Sequence, residues 1–221
     1  MPTLPAAPIP PNEFIEEWLP TAFADAGLPP GSDDVDVTLG IALEGEGGGE
    51  WVLHIDHGAI EISPTSREEA AFTYVQSVAD WRGALWEGRG GAIGEAFGRF
   101  FRPGSPDADG PAGALGGAPP PQALTMMERL DGSIRIEVTD EAAGDWAVAV
   151  RLGPGPIPDE PTCTLTIASD DAAALARGEL DPMQAFMGGQ MVVTGDMTLM
   201  LQMQAALMQA AATGDGTPDA G

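Results

Sequence analysis

Gly49-Glu50-Trp51 returns 95 residues later as Gly144-Asp145-Trp146, and the sequence around each triplet returns with it. A glycine follows each tryptophan by seven residues, at Gly58 and at Gly153. Asp80, Leu85 and Gly88 recur as Asp170, Leu175 and Gly178 at an offset of 90, and Ala96-Phe97 recurs as Ala185-Phe186. Matches that keep their order while the offset shrinks point to a duplicated unit with short deletions in the second copy. Whatever the chain folds into must therefore accommodate one supersecondary pattern twice.

The breaks between copies are marked by composition. The chain holds 30 glycines and 21 prolines, and they cluster. Residues 1–11 are rich in proline, 103–121 contain almost no bulky apolar side chain and 213–221 are small and polar, so burial there cannot offset the entropy of ordering them. They read as a proline-rich tail, a Pro/Gly linker and a second tail. This leaves bodies at 12–102 and 122–212.

Hydrophobic periodicity gives the elements. Val35, Val37, Leu39, Ile41 and Leu43 alternate as a half-buried strand does, Trp51 to Ile55 forms a second strand, and Ile60 and Ile62 mark a third after an Asp56-His57-Gly58 turn. Ile134, Ile136 and Val138, then Trp146, Val148 and Val150, repeat the first two, and Cys163, Leu165 and Ile167 add another. Helices fit 13–26, 78–86, 91–101 and 170–177, with a Pro182-led helix to Met187, because proline suits a first helical turn. A short strand at 191–193 precedes a last helix over 197–212, with Asp196 as its N-cap. That helix is apolar nearly all round apart from Gln202, Gln204 and Gln209, so it needs cover from protein, partner or ligand. The first copy lacks a counterpart of this strand and helix and ends instead in Phe100 and Phe101.

Charge and length exclude several classes. Nine Lys+Arg (all of them arginine) against 34 Asp+Glu give a formal net charge of −25, which repels phosphate backbones and anionic headgroups; no nucleic-acid partner is expected. No apolar run approaches the ~20 residues of a membrane span, and Met1 to Pro11 has five prolines and no basic residue, unlike a secretory signal. One cysteine rules out an internal disulfide framework. The expectation is an acidic cytoplasmic protein.

The run from Cys163 (Cys-Thr-Leu-Thr-Ile-Ala-Ser-Asp), then Ala-Leu-Ala-Arg-Gly178, Asp181-Pro-Met-Gln-Ala-Phe186, Gly189 and Val193-Thr-Gly195-Asp-Met197, resembles the C-terminal half of the sterol carrier protein type two domain. The resemblance covers 122–212 well and 12–102 faintly. It implies α+β architecture: two sterol-carrier-like units, each a mixed or antiparallel sheet covered by helices with an apolar tunnel between. It also implies binding and carrying of a sterol, fatty acid or other lipid without chemistry and without a cofactor. On this reading the second unit's tunnel is lined by Trp146, Leu165, Ile167, Leu175, Phe186, Met187, Met191, Val193, Met197, Met200 and Leu201. The closing helix serves as lid. Membrane contact is at most transient, and a second copy of the chain is a further candidate partner. Two rivals stand beside the carrier: an oligomerisation module for a partner enzyme, and an enzyme acting on a hydrophobic substrate.

Other signals are weaker. Seven methionines fall between Met183 and Met208; thioethers serve equally as core filler or as an adaptable wall for a greasy ligand. His54 and His57, three apart on a strand, point to opposite faces and do not converge on a metal. Gly88-x-Gly90-Gly91-x-x-Gly94 follows a helix, where a dinucleotide loop follows a strand. Cys163, mid-strand between threonines, reads as an inert buried thiol. No catalytic set and no metal set is expected.

Overall fold

The computed structural model describes residues 3–28, 32–65, 67–104, 121–140, 142 and 144–214. Most of the expected linker (105–120) and the end of the expected C-terminal tail (215–221) lie outside the described residues.

A helical run over 11–26 (α1) opens with Pro11 in its first turn. Pro20 then sits inside the run without an N–H to donate. The chain accommodates it with a π-helical segment, Phe14–Trp18, in which the Leu19 N–H reaches back to Phe14 O. Strands β1 (Asp36–Glu44), β2 (Gly49–Asp56), β3 (Ala59–Ser63) and β4 (Phe72–Ser77) follow, then helices α2 (78–87) and α3 (Gly91–Gly98) and a 3-10 turn, Arg99–Phe101. The second half runs α4 (Pro121–Met127), β5 (Gly132–Thr139), β6 (Trp146–Leu152), β7 (Cys163–Ala168), α5 (Ser169–Ala176), α6 (Pro182–Met187), β8 (Met191–Gly195) and α7 (Met197–Gly214).

All eight strands form one sheet in the order β3-β2-β1-β4-β6-β5-β7-β8. In the first half β2 runs antiparallel to β1 and β1 parallel to β4. In the second half β6 runs antiparallel to β5 and β5 parallel to β7. Trp51 on β2 faces Ile41, and Trp146 on β6 faces Val138, so both tryptophans lie on the antiparallel neighbour of a central strand. The halves meet at β4 and β6, antiparallel, with Phe72 opposite Leu152 and Val75 opposite Ala149. This corrects the expectation of a separate sheet in each unit. β4 has a free edge once β1 is paired, β6 has one once β5 is paired, and exposed ladder groups favour pairing.

β4 has no counterpart among the strands expected from periodicity. Phe72, Thr73, Tyr74, Val75 and Gln76 are all buried, so no polar face alternates with an apolar one. Helix α4 was also not expected; it follows the linker directly, and its Ala123, Leu124 and Met127 are buried.

One apolar cluster runs from Phe14 through both halves to Leu199. On that face Trp51, Ile41, Tyr74, Val150, Ile134 and Cys163 stand in one cross-strand row. The opposite face is closed at the seam by two buried arginines. The Arg151 guanidinium donates to the carbonyls of Gly132, Leu152, Pro154 and Pro156 and pairs with Asp131 at 2.7 Å. Arg67 lies over Gly40 and pairs with Glu50 at 3.2 Å, while Gly153 N–H donates to Ala71 O at 2.8 Å. Gly153 has φ +74, and a Cβ there would lie 1.8 Å from Leu130 O, so only glycine fits this crossing. The proline-rich start is not a free tail over its described length: Leu4 and Ile9 pack on the core, and Pro5 O accepts from the Trp86 indole at 2.8 Å.

Hairpin β2–β3 turns through His57 (φ 45) and Gly58 (φ 85), the positive pair of a type I′ turn. His57 Nδ1 lies 2.6 Å from Asp56 Oδ1. That hydrogen bond, with weaker attraction from Asp36 and Asp34, raises the His57 pKa, and the same bond lowers that of Asp56.

One sheet and one core predict a single unfolding transition. Arg151→Ala, which strands several acceptors, should lower the midpoint by roughly 5–10 °C, from about 2–3 kcal/mol, without splitting the transition. Circular dichroism and tryptophan fluorescence followed together check this, and two separate transitions would contradict it. For the turn, the raised His57 pKa means that its contribution is complete below the ordinary histidine value near 6.5 and is lost as pH rises through the folded-state value. The lowered Asp56 pKa means that its share is lost only as pH falls through that depressed value. An NMR titration of the ring should give a His57 midpoint above 6.5, moving down in Asp56→Asn.

Candidate functional site

The second half's apolar face is built from two adjacent cross-strand rows. Trp146, Val138, Ile167 and Met191 form one; Val148, Ile136, Leu165 and Val193 form the other. Strand alternation puts these side chains on one face and Arg135, Glu137, Thr164 and Thr166 on the other. Five of the residues expected to line a tunnel are thus brought together in these rows: Trp146, Leu165, Ile167, Met191 and Val193. Leu175, on α5, is buried in the same cluster. Helix α5 starts at the end of β7 with Asp170 and Asp171 in its first turn, where carboxylates oppose the helix dipole.

These residues differ in openness. Trp146, Leu165, Ile167 and Leu175 are at most 2% exposed, and Met191 is 8% exposed. Trp146 is held by the first half: its indole donates to Asp80 O at 2.9 Å, and its ring lies 6.3 Å from that of Phe97. Gly90, at φ +77, passes so near that a Cβ would stand 2.6 Å from Trp146 Cδ2. Arg89 closes this corner, pairing with Asp80 at 3.2 Å and donating to Asp145 O. Trp146 is therefore a residue of the seam between the halves.

The other expected liners lie on α6 and α7. Met200 is half-buried against the core, whereas Phe186, Met187, Met197 and Leu201 are exposed, Met187 at 81%. Asp181 caps α6, its Oδ1 accepting from the N–H groups of Met183 and Gln184. Asp196 Oδ1 accepts from Thr198 N–H at 2.8 Å at the start of α7, and hydrogen bonding from the Thr198 side chain, then from its backbone, holds the Asp196 pKa below its ordinary value. The inner face of α7 is Leu199, Met200, Met203, Ala206 and Leu207. Four of these are absent from the expected liners, although their helical spacing is in the sequence. What hid them is that α7 has apolar residues on both sides, so spacing alone selects no inner face.

The first half is filled by rings. Phe101 is fully buried, 4.9 Å from Tyr74 and near perpendicular to it, and Phe100 stacks on Tyr74 at 5.8 Å. Phe14, Trp81 and Trp86 complete the cluster, with Trp81 itself fully buried. Tyr74, fully buried, donates its hydroxyl to Gln76, and burial raises its pKa well above 10.0.

The chemistry-bearing groups are scattered. Cys163 is buried, and burial, with a smaller contribution from Asp196, raises its thiol pKa, which disfavours the thiolate a nucleophile needs. His54 lies 3.5 Å from Asp36 and 3.2 Å from the Thr38 hydroxyl, on β2, toward the opposite end of the sheet from α7. Among the described residues no group of three or more His, Cys, Asp or Glu side chains is arranged to hold a metal ion, and no helix is long and apolar enough to cross a membrane.

Comparison with known proteins finds similarity concentrated in the second half. Residues 114–208 match the model of the SCP-2 sterol transfer family. Sterol carrier protein 2 of Oryctolagus cuniculus is 31% identical over 91 residues, as is that of Rattus norvegicus, and the human protein is 30% identical. The match takes in 38% of this chain and 17% of each of those proteins, so the chain spans a small part of their length. Among solved structures, sterol carrier protein domain 2 of Helicoverpa armigera aligns at 24% identity over 39% of this chain and 74% of that one, with a TM-score of 0.29. Sterol Carrier Protein 2 Like 2 of Aedes aegypti aligns at 18% identity over 52% and 91%, with a TM-score of 0.31. The similarity to the SCP-2 sterol transfer family thus falls on residues 114–208 of this chain.

Proposed function

We propose that this protein binds and carries a hydrophobic ligand, a sterol, fatty acid or other lipid, between the sheet and the helices of its second half, and that it does so without chemistry. The observation that carries the reading is the coincidence of the match to the SCP-2 sterol transfer family at 114–208 with the half whose helical cover is a methionine-rich helix, α7. The rows of Leu165, Ile167, Met191 and Val193 are the floor, Leu175 is a wall, and Met200, with Met203 beside it, is the adaptable cover. The floor residues are closed in the structure, so the ligand takes its place by displacing α7. Methionine suits that role, because an unbranched thioether side chain repacks around differing shapes at small cost. Phe186, Met187, Met197 and Leu201 then belong to the entrance.

The first half is a divergent copy of the same unit that serves as scaffold. Support comes from the strand triples β2-β1-β4 and β6-β5-β7, which share their order and pairing sense, and from the equivalent places of Trp51 and Trp146. Its interior is occupied by Phe100, Phe101 and Tyr74.

Met200→Asp puts a charge against the apolar cover, at a cost of several kcal/mol if it is held dry and less where it reaches water. Bound lipid, quantified by mass spectrometry of organic extracts, should fall several-fold. Phe97→Ala in the first half should cost about 3–5 kcal/mol of stability and leave lipid stoichiometry unchanged in the folded protein. If Phe97→Ala loses lipid and Met200→Asp keeps it, the pocket belongs to the other half.

A further inference from the structure

Helix α7 has two apolar faces, and the fold uses only one. Leu199, Met200, Met203, Ala206 and Leu207 face the core, while Met197, Leu201, Ala205 and Met208 form a second stripe at spacings of 4, 4 and 3 residues. These four are exposed, Met197 at 39%, Leu201 at 58% and Met208 at 63%. The stripe runs about 17 Å along the helix at 1.5 Å per residue. It is flanked by Thr198, Gln202, Gln204 and Gln209, all exposed and uncharged. In the preceding helix Met183, at 65%, and Met187 are exposed as well.

The charge distribution says what can lie against this face. The chain has 34 acids, yet from Pro182 to Gly214 the only ionisable side chain is Asp196, which is engaged at the start of α7. Helix α4, which packs beside α7, has no ionisable residue over 121–127. An anionic bilayer meets a body of net charge −25, and a second copy meets an equal one; both are opposed by long-range repulsion. A zwitterionic phospholipid surface carries no net charge and so meets no such penalty. Its disordered acyl chains accept methionine and leucine, and its headgroups accept hydrogen bonds from glutamine and threonine. A helix with an apolar stripe and polar flanks lies in the plane of such an interface.

We infer that the outer stripe of α7, Met197, Leu201, Ala205 and Met208, docks this protein on neutral phospholipid surfaces by apolar insertion, independently of anionic lipid. The inference deepens the carrier reading, on which it rests for its role, by naming the surface from which lipid is taken or to which it is given. The stripe lies on the helix proposed to move, so docking and opening would be joined in one element.

The test is flotation of the full chain with phosphatidylcholine vesicles at low and high salt, alongside a Leu201→Gln/Met208→Gln double variant. The wild type should float with the vesicles about equally at both salt concentrations, since the attraction is not Coulombic. The double variant should bind at least tenfold less while keeping its thermal midpoint, because both side chains are exposed in the fold. No flotation of the wild type, flotation only with phosphatidylserine vesicles, or equal flotation of the double variant would each overturn the inference. So would sedimentation showing a wild-type dimer that the double variant dissolves, since the occupant would then be a second copy. Lipid extracted from the same preparations separates the two claims. Extracted lipid without flotation sinks the docking surface alone, and flotation without extracted lipid sinks the carrier reading alone.

Discussion

The antiparallel pairing of β4 with β6 is the contact on which the rest of the molecule depends. Four residue pairs, from Phe72 opposite Leu152 to Val75 opposite Ala149, turn two half-sheets into one. Without it, each half would present an unpaired edge in the middle of its own apolar face. With it, Trp146 of the second half lies under Gly90 and Phe97 of the first, and Arg67 and Arg151 knit the loops on the opposite face. Long-range pairing of this kind is slow to form but, once formed, makes neither half separable from the other.

The two halves then divide their work through their side chains. Aromatic rings fill the first, and rings held at near right angles to one another pack rigidly. Branched aliphatic residues line the sheet face of the second, and Met200 and Met203 of α7 pack against it. Charge is divided in the same way. Acidic residues are spread over the rest of the chain, while α6, β8 and α7 carry a single carboxylate among them and their connections.

The sequence showed most of this architecture where one side of an element meets water. Ile134, Ile136 and Val138 alternate with Arg135 and Glu137 because β5 has a wet face, and the strand could be read from that alternation. β4 could not, because Thr73 and Val75 are buried on one side and Phe72, Tyr74 and Gln76 on the other. Without β4 the joining of the sheets was also hidden, and with it the fact that Trp146 packs against the first half. Both tryptophan strands could be read from their own apolar alternation, Trp51, Leu53 and Ile55 in one and Trp146, Val148 and Val150 in the other. For α7 the difficulty was of another kind. Residues of similar hydropathy lie on both faces, so only packing against α4, β5 and β7 distinguishes Met200 and Met203 from Leu201 and Met208.

The central claim is that a rigid, ringed half and a fused sheet support one mobile helix that covers a lipid. Hydrogen exchange with and without a saturating fatty acid tests it most directly. The amides of β4 and β6 should exchange slowest in both states, and added ligand should raise protection in β8 and α7 while leaving α1 to α3 unchanged. Ligand-dependent protection confined to α1–α3, or early exchange across the β4–β6 pair, would contradict it.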